Sequence, residues 1–263
     1  MFGAIAGDII GSAFGQQPTN STEFELLGSN SCMTDESVLT VATAHALLNG
    51  KDYKKAYRFW GKTYANASYG ASFLRWLFLE SEDAYDSFNN EAAMRVSPIA
   101  WAFDSLEKVL SEAERSARVT HSHPDAVKGA QAVAAAVYLA RTGAKIETIR
   151  QEIETRFGYD LSTPLNELNP DSDHGESVLG SVPHALRAFL ESADWESSVR
   201  NAVALGGESD TQSSITGSVA EAYFGGVPGE IWKQCNTRIP DNMRSVCRKF
   251  SKKHGPPVPR SKS

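Results

Sequence analysis

The sequence predicts an all-α fold, a compact orthogonal multi-helix bundle. Three observations point there: apolar residues recur at spacings of three and four, strand-type alternation is nearly absent, and residues 124–141 form an alanine-rich stretch suited to a central helix.

The chain opens with GAIAGDIIGSAFG, where glycines 3, 7, 11 and 15 recur every fourth residue. On a helix they make one smooth stripe that a neighbouring helix can approach closely. The lysine and Ser/Thr of a phosphate-binding P-loop are missing, so close packing is the favoured reading. Asp8 lies inside this apolar segment and needs a hydrogen-bonding or cationic partner. Residues 38–49 keep helical spacing until Gly50, a natural stop. The helix over 124–141 starts at a proline and ends before Thr142-Gly143. Further helices are predicted over 53–63, 98–118, 145–156, 181–191, 193–204, 211–223 and 238–251. Polar, glycine-punctuated stretches at 15–34, 67–72, 81–93 and 158–180 interleave with acidic clusters and are expected to rim a site. Tyr69, Gly70 and Trp76 are expected to be core and turn residues.

A chain of 263 residues suits one domain, taken as 1–250, with a basic, proline-containing tail over 251–263. The net charge of -6 argues against a nucleic-acid partner. No apolar run reaches the roughly 20 residues that span a bilayer. Cys32, Cys235 and Cys247 form no paired framework, and the N-terminus shows no basic signal-type region, so a cytoplasmic protein without membrane contact is expected.

The chemistry concentrates in two acidic clusters, Thr34-Asp35-Glu36-Ser37 and Glu208-Ser209-Asp210-Thr211. Each precedes a predicted helix, where acids and hydroxyls cap free amides and complement the dipole. Together they supply more oxygens than capping requires. Four carboxylates brought together repel unless a cation neutralises them, and an all-oxygen donor set suits Mg²⁺ or Mn²⁺ rather than zinc.

Several runs are more specific: GAIAGDIIGS, TDES at 34–37, YGASFLRW at 69–76, AMRVSPIAWAFDS at 93–105, THSHP at 120–124, GSVPHAL at 180–186 and GGESDTQSSITGSVAEAYFGGVP at 206–228. In wording and order they resemble the ADP-ribosylglycohydrolase family over about residues 2–235. The resemblance implies that family's helical bundle and a metal-dependent hydrolase acting on ADP-ribose or an ADP-ribosylated protein. It places metal ligands on Thr34, Asp35, Glu36, Glu208, Asp210 and Thr211, holding two Mg²⁺ or Mn²⁺ ions, or one. Asp35 and Asp210 are the implied catalytic residues, with metal-bound water as the attacking group. Substrate contacts fall on Phe88, Asn90, Glu91, Ala92, Arg95 and His123, although His123 reads equally well as a helix cap.

The chain departs from the family pattern at four places. Gly15 stands where a glutamate is usual, Glu36 and Glu208 each replace an aspartate, and Asn89-Asn90-Glu91-Ala92 replaces a Gly-Asn-Gly-Ser/Ala loop. Glu91 sets a carboxylate where bare backbone would meet a diphosphate. Three functions remain open: hydrolysis of an ADP-ribosyl or related nucleotide-sugar linkage, binding of a nucleotide or partner protein without turnover, and hydrolysis of a less anionic glycoside.

Overall fold

The computed structural model describes residues 1–79, 83–168 and 177–255. Among them the chain forms thirteen α-helices. The first seven are α1 (Phe2–Gly11), α2 (Asp35–Leu48), α3 (Tyr53–Thr63), α4 (Ala71–Phe78), α5 (Ser97–Ala102), α6 (Leu106–Ala117) and α7 (Pro124–Arg141). They are followed by α8 (Ile146–Phe157), α9 (Val178–Leu190), α10 (Trp195–Ala204), α11 (Ser209–Phe224), α12 (Gly229–Thr237) and α13 (Asp241–His254). Only two isolated β-bridges, Tyr85 with His121 and Asn89 with Ser177, occur among the described residues.

Two helices form the centre. Helix α7 buries small residues from Ala126 to Ala140 and packs against α5, α6, α8, α9 and α11. Its alanines let five neighbours come close without large side chains intervening. Helix α11 is buried along nearly its whole length and lies against α1. The glycine stripe explains that approach. A Cβ added to Gly3, Gly7 or Gly11 would stand 2.0–2.2 Å from the backbone oxygen of Gly217, Ser213 or Ser209. Gly15 differs, for a Cβ there meets nothing within 4 Å. The packing reading therefore holds for three of the four glycines.

Local chemistry accounts for the departures from the predicted helices. The stretch 98–118 is broken by Phe103-Asp104-Ser105, because the Ser105 hydroxyl accepts from the Lys108 amide and starts α6 afresh. Helix α9 begins earlier than expected and carries Pro183 inside it. Helices α4 and α12 were not expected; both are short, and eight or nine residues leave little periodicity to read. Residues 251–254, assigned to the tail, form the last turn of α13. Residues 256–263 of that tail, together with 80–82 and 169–176 of the expected rim, lie outside the described residues. No helix among the described residues is long and apolar enough to cross a membrane.

Candidate active site

The acidic clusters become the first turns of α2 and α11. Thr34 is the N-cap of α2 and Glu208 that of α11. Gly206 and Gly207 adopt φ of +78° and +67°, a left-handed backbone that turns the chain sharply into α11. Both helices thus aim free amides and positive dipole ends at the same acidic groups. One cavity of about 140 Å³ is lined by Asp35, Glu36, Glu91, Glu208, Asp210 and Thr211, with Ser68, Gly70, Asn89 and Asn90 completing it. A second, of about 350 Å³, shares Ser68 and Asp210 and extends past Thr34, Cys32 and Gly15 to Gln16 and Gln17. Among the described residues, neither is lined by any basic side chain. A larger surface hollow of about 420 Å³ near Leu165 and Leu205 holds a single carboxylate, Glu191, and no comparable cluster.

Asp8 explains its own place in an apolar helix. Wholly buried on α1, it accepts from the Thr34 amide at 3.0 Å, the Thr34 hydroxyl at 2.6 Å, the Ser37 amide at 3.1 Å and the Ser37 hydroxyl. Burial nevertheless pushes its pKa up to about 7, against the pull of those donors. Glu36 accepts from the Thr211 hydroxyl at 2.6 Å, and its other oxygen touches Thr34 Oγ1. The single Thr34 hydroxyl proton cannot serve both Asp8 and an ionised Glu36, so the two carboxyls compete for it. Burial, then Asp210 and Asp8, raise Asp35; burial, then Asp35, Asp210 and Asp8, raise Glu36. Burial also raises Asp210. The cluster therefore holds more acceptor oxygens and more negative charge than its own donors satisfy.

Those features fit a hard divalent cation. No three His, Cys, Asp or Glu side chains among the described residues are gathered as a ready-made metal cage. The carboxylates instead surround a small polar cavity, an all-oxygen donor set of the kind hard divalent cations take.

Glu91 lines the same cavity, and its charge is among those that raise Asp35. Its Oε2 lies 2.9 Å from His121 Nε2, and its Oε1 would stand 2.8 Å from a Cβ added to Gly70. Burial would raise this carboxylate, but the His121 hydrogen bond, a backbone amide and Arg95 together hold it below the usual range. His121 is wholly buried, and that burial, helped by Arg95, lowers its own pKa despite Glu91. The ring is therefore neutral and donates to an ionised carboxylate, because a second buried cation beside Arg95 is costly.

Asn90 donates to Glu208 at 2.6 Å and to Ser181 at 3.1 Å, tying the 89–92 turn to α9 and α11. Ala92 is buried beneath the turn and does not line the cavity. Arg95 also fails to reach it. The guanidinium is fully buried, stacks over Tyr57 at 4.1 Å, and donates to Thr120 Oγ1 at 2.7 Å and the Ser116 carbonyl at 3.3 Å. Phe88 and His123 pair edge-on at 5.9 Å outside the cavity lining. His123 Nδ1 accepts from the Asp125 amide, so that histidine caps α7. Tyr69 and Trp76 are buried in the core as expected, whereas Gly70 lines the cavity.

Ser68 and His121 have no individual role in the sequence reading, and Asn89 enters it only as part of the 89–92 loop. Ser68 has a signal only in its backbone, φ +66°, which few non-glycine residues adopt. His121 stands two residues before the more conspicuous His123, and its partner Glu91 is 30 residues away.

Comparison with known proteins agrees with the geometry. The sequence profile described as ADP-ribosylglycohydrolase matches residues 1–257. An uncharacterized protein of Archaeoglobus fulgidus is 35% identical over 156 residues, a match spanning 54% of this chain and about half, 51%, of that protein. ADP-ribosylhydrolase ARH3 of Bos taurus is 26% identical, over 77% of this chain and 73% of the relative. The Mus musculus ARH3 is 24% identical, over 88% and 85%. Among solved structures, an ADP-ribosylglycohydrolase-related protein complex superposes with a TM-score of 0.72 at 24% identity, covering 96% of this chain and 97% of that one, a likeness of fold. Two helix starts meeting at one acidic cleft, on this bundle and with a profile match along nearly the whole sequence, place the chain in the ADP-ribosylglycohydrolase family.

Proposed function

We propose that this cleft hydrolyses a glycosidic bond to an ADP-ribosyl group, carried by a protein or a small acceptor, with Mg²⁺ or Mn²⁺ as cofactor. The observation that carries the reading is the convergence of Asp35, Glu36 and Asp210 in one buried cluster without a neutralising cation of the chain's own. Asp35 and Asp210 would anchor the cation, with Thr34, Glu36, Glu208 and Thr211 completing its shell. When bound, a divalent ion supplies Lewis-acid polarisation and charge neutralisation worth several kcal/mol. The chain's own part is to hold the sugar between α2 and α11 and to keep the 89–92 turn in place through Asn90.

The absence of basic side chains around the cavity, with Arg95 sequestered in the core, favours a second reading in which the substrate is a less anionic glycoside. One calorimetric series separates the outcomes. Wild type is expected to bind Mg²⁺ or Mn²⁺, and Asp210→Ala to bind neither; a silent wild type would remove the hydrolase reading. ADP-ribose binding without turnover of arginine- or serine-linked ADP-ribose would instead indicate a binding protein.

A further inference from the structure

The cleft contains one carboxylate that does not belong to the acidic cluster. Glu91 ends a chain of hydrogen bonds running from Arg95 Nη2 to Thr120 Oγ1 at 2.7 Å, from Thr120 Oγ1 to His121 Nδ1 at 2.9 Å, and from His121 Nε2 to Glu91 Oε2 at 2.9 Å. The Glu91 end fixes its direction. An ionised carboxylate only accepts, so the proton of a neutral His121 ring is on Nε2, aimed at Glu91. Nδ1 then accepts, and Thr120, itself accepting from Arg95, gives it the hydroxyl proton; the tautomer is assigned from this network. Arg95, Thr120 and His121 are each wholly buried, whereas the Glu91 side chain keeps 13% exposure and lines the cavity together with Asp35 and Asp210.

The floor beneath Glu91 is shaped to match. Gly70 has an ordinary backbone, φ -60° and ψ 151°, which any residue can adopt. A Cβ there would stand 2.8 Å from Glu91 Oε1, so the glycine leaves room for the carboxylate in its present position. One oxygen of Glu91 is thus held by the relay while the other remains beside the cavity. Of the remaining carboxylates in the lining, Glu208 is held by Asn90, and Asp35, Glu36 and Asp210 lie in the cluster.

We infer that Glu91 is the proton-handling residue of the hydrolysis, with His121 and Thr120 as the positioning pair that aims it. The inference rests on the hydrolase reading above and deepens it. In the step, the oxygen of water bonds to the anomeric carbon as the glycosidic C–N or C–O bond breaks, its electron pair leaving with the acceptor atom. Glu91 takes the proton released by the water. That proton then passes to the departing atom, so the carboxylate is restored and nothing else is consumed. The groups facing Glu91 are His121 and Arg95 on its buried side, Tyr85 beside them, and Asp35 across the cavity. The buried side holds Glu91 in its acceptor form.

The test uses the full chain with Mn²⁺ and arginine- or serine-linked ADP-ribose. Glu91→Gln keeps the shape and the His121 contact, and should lower kcat by about 10²–10⁴-fold with KM little changed. Glu91→Gly should be equally slow but regain rate as sodium formate is added, a small carboxylate replacing the missing one. His121→Gln should lower kcat and move the acid limb of the pH profile, a shift that a merely structural role would not produce. Glu91→Gln working at the wild-type rate, or Glu91→Gly indifferent to formate, would overturn the assignment while leaving the hydrolase reading intact. A wild type that hydrolyses neither substrate would overturn both.

Discussion

On one side of the cleft Asp35, Glu36 and Asp210 crowd together in front of buried Asp8; on the other, Glu91 stands against His121. Both sides are largely buried, yet the carboxylates shift in opposite directions. Burial and mutual repulsion raise Asp35 and Glu36, while the His121 bond, a backbone amide and Arg95 overcome burial and lower Glu91. What differs is the supporting layer. Behind the cluster lies another acid, Asp8, whose donors are already committed. Behind Glu91 lies a directed relay ending on a guanidinium. Among the described residues one side therefore has no positive charge to balance it, and the other carries its own. Environments that drive like groups apart in this way assign different roles to them.

The largest expected effect comes from removing that difference at the cluster. Asp210→Ala should abolish the heat of Mn²⁺ binding and lower turnover by about 10³-fold or more, the equivalent of several kcal/mol. Asp35→Asn in metal-free protein should act in the reverse sense on stability. It removes one repelling charge, so Tm should rise, and added Mn²⁺ should then raise it no further. A fall in metal-free Tm would show that the cluster is not under electrostatic stress.

Next comes the scaffold that brings the cluster together. Gly7→Ala forces a methyl against the Ser213 carbonyl, where α1, bearing Asp8, packs on α11, bearing Asp210. Chemical denaturation should show a loss of about 1–3 kcal/mol, with weaker Mn²⁺ binding alongside it.

The pH dependence of metal-free stability follows from Asp8. Its pKa rises from 3.8 unfolded to about 7 folded, so between those values the native state keeps a proton that the unfolded chain has lost. Stability should accordingly fall as pH rises from about 4 to 7. Thermal melts should therefore give a higher Tm at the acid end of that window, and Asp8→Asn should lessen the slope, with the raised Asp35, Glu36 and Asp210 supplying the rest. The smallest effect is expected at Gly15. With φ -60° and ψ -37° and open space around it, Gly15→Glu should change stability by no more than about 0.5 kcal/mol.

The sequence carried one side of the cleft far better than the other. Thr34-Asp35-Glu36 and Glu208-Ser209-Asp210-Thr211 are contiguous and sit at helix starts, so local spacing exposes them. The glycine stripe and the alanines of α7 likewise announce close packing, because small residues at helical spacing have few other uses. The Glu91 side is non-local. It depends on a bridge between Tyr85 and His121 and on Arg95 turning inward to Tyr57 and Thr120. An arginine beside a ligand-like loop reads as an anion contact until the aromatic ring and the hydroxyl that enclose it are known. Phe103-Asp104-Ser105 shows the same limit for helices, since a single side-chain cap ended what periodicity alone would continue.

The division of labour between the two sides is tested most directly by crystals soaked in Mn²⁺ and measured for anomalous scattering. The account predicts a peak between Asp35 and Asp210, with Glu91 outside the metal's shell and still hydrogen-bonded to His121. No peak at the cluster, or one bound to Glu91, would contradict it.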